Sequence, residues 1–180
     1  CLLKDVTNIG NKRNMIKCNS TKKYLLMIDD DIRALVGMDG INLSEERVKQ
    51  TILAGFEMCE ESKARLWGVN PYSNSFYFKN NVSETLKFIC GGFHGLIIDQ
   101  LMILSPVDAL EDYFITLSHF KRDGAVLRLN NIGIRTTLFT NKGGLQAKYS
   151  SEERQKEECK SATYIVNLFG ELHLIIFLLL

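Results

Sequence analysis

The chain has 180 residues and a mass of 20.5 kDa, with 46% apolar and 24% charged residues. That balance suits one globular domain and excludes a disordered or low-complexity chain. Lys and Arg number 22 against 21 Asp and Glu, so a net charge of +1 gives no bulk attraction to nucleic acid or an anionic membrane. Five widely spaced cysteines without a C-x-x-C pair argue against a disulfide framework or a zinc site. They point to a reducing compartment, cytoplasmic or nuclear.

In chain order, residues 11–18 suit a short helix with Met15, Ile16 and Cys18 turned inward. Residues 24–28, Tyr-Leu-Leu-Met-Ile, are apolar without alternation, the pattern of a strand buried on both faces. That strand runs straight into Asp29-Asp30-Asp31. Ser44 can cap a helix over residues 45–63, with Val48, Ile52, Phe56 and Cys59 at helical spacing. Residues 66–71 read as a strand and turn, and residues 76–79 as extended. Residues 86–90 read as a strand ended by Gly91-Gly92, with a restart over 95–99. Glu111-Asp112 opens a helix with Phe114, Leu117 and Phe120 on one side, which stops at Asp123-Gly124. Residues 125–129 form a strand, residues 141–144 a loop and residues 150–160 a solvated helix. The apolar run from Tyr164 is interrupted by Asn167, Glu171 and His173, so a buried terminal helix is expected and no membrane span. Strands alternating with helices imply a layered α/β domain. It covers residues 1–149, followed by a charged helix and apolar tail over 150–180.

Five features carry chemistry. Asp29 and Asp31, two apart after a strand, can approach one Mg²⁺ or Mn²⁺ beside a diphosphate; equally, the run is an acidic turn with Asp31 capping the next helix. Glu111-Asp112 supplies a general base, or simply favourable charge at a helix start. The glycine-dense segment 91–95 lets backbone approach a ligand, or is a turn. Lys142 with the amides of Gly143 and Gly144 can hold a phosphate, or forms a surface turn. Arg13-Asn14 can meet a nucleotide, or lies on a solvated helix face. His119, among helix residues, reads as structural, and His94 as a polar contact or a loop residue.

In this order, Lys12-Arg13-Asn14, a strand into Asp29-Asp30-Asp31-Ile32, the Gly91–Gly95 segment and Glu111-Asp112 resemble the GT-A glycosyltransferase superfamily. Within it, Leu66-Trp67-Gly68-Val69-Asn70-Pro71, Glu111-Asp112-Tyr113-Phe114, Val126-Leu127-Arg128-Leu129-Asn130 and Asn141-Lys142-Gly143-Gly144 are similar to the TET-associated glycosyltransferase family. That family includes phage DNA-modifying enzymes and the C-terminal domain of estrogen-regulated growth-regulator proteins. The likeness spans roughly residues 8–146. It implies a Rossmann-like mixed sheet flanked by helices, lacking the first β-α unit of such domains. It also implies a nucleotide-sugar donor, a UDP-sugar, held by Arg13, Asn14, Asp29, Asp30, Asp31, Gly91, Gly92, Lys142, Gly143 and Gly144. Mn²⁺ or Mg²⁺ would sit on Asp29 and Asp31. Asp112, with Glu111, would be catalytic toward an acceptor hydroxyl on a hydroxymethylated DNA base or a protein Ser/Thr. The alternatives are a catalytically degenerate binding or regulatory module on the same scaffold, and a nucleotidyltransferase.

Overall fold

The computed structural model describes residues 9–137 and 151–172. They form a mixed α/β structure with one curled sheet flanked by helices. The elements are α1 (Ile9–Asn19), β1 (Tyr24–Ile28), β2 (Ile32–Val36), α2 (Glu45–Glu61), β3 (Leu66–Asn70), a 3₁₀ turn (Ser75–Tyr77), β4 (Val82–Ser83), β5 (Phe93–Ile97), α3 (Glu111–Asp123), β6 (Leu127–Thr136) and α4 (Ser151–Phe169). The sheet order is β1-β5-β3-β6-β2, with β4 added beside β6. Among the described residues only β3 and β6 pair in parallel; the other pairs are antiparallel.

The fully buried strands are β3 and β5, at the middle of the sheet. Alternation along β3 sends Leu66 to one face and Trp67 and Val69 to the other core layer. Trp67 packs edge-on against Phe56 of α2 and Phe93 of β5. Around it, Leu35, Cys59, Leu127 and Ile134 fill one core layer beneath α2. Leu66, Leu96 and Val126 fill the opposite layer with Phe114, Ile115 and Leu117 of α3 and Ile165 and Phe169 of α4. The indole fits because its neighbours lack side chains. A Cβ on Gly55 would stand 2.4 Å from the Trp67 ring, and one on Gly95 would stand 2.0 Å from its Nε1.

Several expectations are met. Ser44 caps α2, its Oγ accepting from the Arg47 amide at 3.4 Å. Glu111 opens α3, and Gly124 ends it with φ of 77°. Four others are corrected. β1 is an edge strand, with Tyr24 and Ile28 about half exposed, because among the described residues β5 alone pairs with it. α1 turns Gly10, Arg13 and Lys17 inward and leaves Ile16 and Cys18 exposed. Residues 86–90 are largely buried but unpaired backbone, and the strand begins at Phe93, after the glycines. Residues 75–77 form a 3₁₀ turn, capped by the Asn74 side chain on the Phe76 amide. The final β6 is also longer than the 125–129 segment, at ten residues. Among the described residues no helix is long and apolar enough to cross a membrane.

Candidate functional site

The sheet brings the carboxyl ends of β1, β3 and β6 to one edge, as their pairing directions require. The Asp29–Asp31 turn lies there and is held on both sides. The Asp29 amide donates to the Gly92 carbonyl at 2.9 Å, and the Thr137 amide donates to the Asp31 carbonyl at 3.1 Å. The curl of the sheet therefore closes β1 and β5 toward β2 and β6 at this end.

Arg13 is the centre of the site. Its guanidinium donates to Asp29 Oδ1 at 2.5 Å, to the Gly91 carbonyl at 2.9 Å and, in close contact, to Glu111 Oε1. It is a buried cation with two carboxylate partners, the arrangement a planar guanidinium serves better than an ammonium. Gly91 makes this possible, since a Cβ there would stand 2.4 Å from an Arg13 guanidinium nitrogen. The same Gly91 carbonyl lies 3.0 Å from His94 Nδ1, which places the ring proton on that nitrogen, because a carbonyl only accepts. Burial, reinforced by the charges of Arg13 and Lys17, pushes the His94 pKa down to about 3 and keeps the ring neutral.

Asp112 is the next residue after Glu111. Its Oδ2 accepts from the Gly91 amide at 3.4 Å and its Oδ1 from the Tyr113 amide at 3.0 Å. Burial raises its pKa above the usual carboxylate range, partly offset by these amides and by Arg13. The chain enters α3 through Leu110, which has φ of 57° and no side-chain cap of its own. A bulky residue in that left-handed conformation costs roughly 1–2 kcal/mol. The bend aims Glu111 and Asp112 back at Gly91 and Arg13.

Asn14 exchanges two hydrogen bonds with the Ser105 backbone, at 2.7 and 2.9 Å, and docks α1 on the segment before α3. Lys17, one turn beyond Arg13, donates to the Ile103 carbonyl at 3.1 Å; burial, then the Arg13 charge, lowers its pKa to about 8. The space lined by Arg13, Asn14, Lys17, Gly91, His94 and Asp112 is about 10 Å³, room for one water.

The structure thus gathers Arg13, Asp29, Gly91, Glu111 and Asp112 in one cluster, with Asn14 at its edge and Gly92 pinning the aspartate turn. Asp30 is exposed and Asp31 half-buried beside it. Lys142, Gly143 and Gly144 lie outside the described residues. Among the described residues no group of three or more His, Cys, Asp or Glu side chains is arranged to hold a metal. The aspartate turn still offers two hard-oxygen carboxylates two residues apart, enough for a cation completed by phosphate oxygens. Asp29 keeps one carboxylate oxygen beyond the one that Arg13 engages. No protein family, curated protein or solved structure matches this chain.

Lys17 and Ser105 escape a motif-led reading, and His94 is buried in a strand. One signal was available for Lys17. Gly10, Arg13 and Lys17 share one helical face, with a glycine and two long cations where an ordinary amphipathic helix carries apolar residues.

Proposed function

We propose that the protein is a metal-assisted, nucleotide-sugar-dependent glycosyltransferase of GT-A type. The observation that supports this best is the meeting of four separate segments around Arg13: α1, the aspartate turn, the Gly91 turn and the start of α3. These are the segments, in the same order, that the family resemblance assigns to donor, cation, donor loop and base. Asp29 and Asp31 would hold Mn²⁺ or Mg²⁺, which when bound neutralises charge on the leaving diphosphate. Arg13 fixes Asp29 and Glu111 in place. Asp112, its pKa raised by burial and its carboxylate beside the Gly91 turn, serves as base toward the acceptor hydroxyl.

A second reading, a binding module that has lost turnover, is favoured by one observation. The space beside Asp112 admits a single water, and Arg13 already occupies the approach to Asp29 and Glu111. One experiment separates the two. Thermal unfolding is followed with Mn²⁺ and uridine diphosphate, and hydrolysis of a UDP-sugar is assayed in parallel. A ligand at 100 times its dissociation constant should stabilise by about 2.7 kcal/mol. Stabilisation lost in Asp29→Ala and Asp31→Ala, with slow donor hydrolysis, supports the enzyme. The same stabilisation without hydrolysis supports the module. No stabilisation at any donor concentration removes both.

A further inference from the structure

Lys79, Lys87 and Arg128 come from three segments that lie together at β6. The Lys79 amide donates to the Asn130 carbonyl at 3.1 Å, and the Arg128 guanidinium reaches the carbonyl of Phe88, next to Lys87, at 3.5 Å. Lys87 is half-buried and its pKa is lowered, first by burial and then by the charges of Arg128 and Lys79. Arg128 is half-buried too. Its other contact is to Asn130 Oδ1 at 2.8 Å, so its two hydrogen-bond partners are both neutral. Among the described residues none of the three cations forms an ion pair. Arg13, Arg65 and Arg122, by contrast, each have a carboxylate partner.

Two of these cations, Lys87 and Arg128, are half-buried without a carboxylate partner, which is costly to fold; Lys79 is exposed beside them, and the acidic group that reaches Arg128 is the phenol of Tyr72. The side chains around them are also set in position. Asn130 is buried and donates to Asn81 Oδ1 at 2.9 Å and Ser83 Oγ at 2.7 Å, which turns its own oxygen toward Arg128. The guanidinium is thus aimed before any ligand arrives.

We propose that Lys79, Lys87 and Arg128 form a binding site for a phosphate group. The guanidinium supplies directed donors and the two ammonium groups supply charge, the division of labour that phosphate recognition uses. The site is separate from the cluster at Arg13. None of its three residues lines the space at Arg13 or bonds to Arg13, Asp29, Glu111 or Asp112 among the contacts described above. It depends on no assumption about sugar transfer.

The test is titration of the full chain with inorganic phosphate, followed by thermal unfolding, against potassium chloride matched for ionic strength. The expected result is a saturable rise in unfolding temperature with phosphate alone. Arg128→Gln and Lys87→Gln should each weaken phosphate binding by about ten-fold or more, the loss expected for one charge-assisted contact. Lys87→Gln keeps the test decisive should Arg128→Gln fail to fold. Lys121→Gln, on a lysine that lies over Phe169, should leave binding unchanged. An equal rise with chloride, or equal weakening in Lys121→Gln, overturns the proposal, since the effect would then be general screening. A hexose phosphate and a short oligonucleotide serve as further probes: tighter binding of either than of inorganic phosphate identifies a phosphate carried on that molecule, and equal binding identifies the free ion.

Discussion

Arg13 shows how much of a site can rest on one side chain. It is paired with Glu111, a buried carboxylate, and with Asp29, which is about one-third exposed. Removing it by Arg13→Ala leaves both negative charges uncompensated, and loss of one partner of such a buried pair costs roughly 3–5 kcal/mol. Arg13→Lys should recover only part of this, since an ammonium cannot span Asp29, Glu111 and the Gly91 carbonyl in one plane. Urea unfolding of the two variants checks the order: a Lys variant as stable as the parent would show that charge alone, without the planar fork, is enough. Asp112 acts by a different route. Asp112→Asn keeps an oxygen to accept from the Gly91 or Tyr113 amide but cannot take a proton, so the fold should change by no more than about 1 kcal/mol. Transfer should fall by ~10²–10⁴-fold with donor affinity held, the usual share of a general base. Near-normal turnover would leave Asp112 as a helix-start charge. The members of this site were legible in the sequence as types: carboxylates after a strand, glycines between apolar runs, an acidic helix start. What could not be read was that Arg13 faces inward, because a cation on a helix ordinarily lies in solvent and its burial depends on Asp29 and Glu111, 16 and 98 positions away.

Among the elements, the strand that sequence pattern assigns to the interior lies at the edge. Tyr24–Ile28 carries five apolar residues because it still packs both faces, Leu25 and Met27 on one core layer and Leu26 on the other, while β3 and β5 between paired strands are buried throughout. Local pattern reports how apolar a segment is; pairing partners far along the chain decide how many sides are covered. The same limit explains residues 86–90, whose Leu86, Phe88 and Ile89 are core residues on backbone that pairs with no strand. Helices α2 and α3 were readable because their signals are local: Ser44 before two glutamates, and Gly124 after a basic last turn. The close approach of α2 to the sheet gives a sharp prediction. Gly55→Ala adds a helix-favouring residue, worth up to about 1 kcal/mol in an open helix. Here the added methyl meets the Trp67 ring at 2.4 Å, so the sign reverses. Overpacking of this kind costs typically ~1–3 kcal/mol, and Gly95→Ala, against the indole's other side, should cost at least as much. Thermal unfolding of each variant is the measurement. If Gly55→Ala proves stabilising, α2 does not lie against Trp67 at this distance.

For the whole molecule, the buried bases make folding stability depend on pH. His94 has its pKa depressed from 6.5 to about 3, so the folded state refuses a proton that the unfolded chain accepts. Stability rises with pH wherever the unfolded state binds more protons. The contribution of His94 is therefore complete above pH 6.5 and is lost progressively as pH falls from there toward 3. Each unit within that window is worth about 1.36 kcal/mol, so pH 5 should cost about 2 kcal/mol relative to neutral pH through this residue alone. His119 acts with the same sign, its pKa lowered mainly by burial and partly restored by Asp123. Asp112, with its pKa raised by burial, acts with the opposite sign at the acid end. Lys17, lowered to about 8, extends the same rise into the alkaline range, because the unfolded chain holds its proton up to 10.5. His94→Gln isolates one of these contributions, since glutamine keeps a donor for the Gly91 carbonyl and does not titrate. Urea unfolding at pH 7 and pH 5 gives the stability difference for parent and variant. The parent should lose about 2 kcal/mol more than the variant over that interval, whatever the two stabilities are at pH 7. Equal losses would mean that the His94 ring takes up a proton in the folded protein near its ordinary pKa, and so that it is not sealed between Gly91, Arg13 and Lys17.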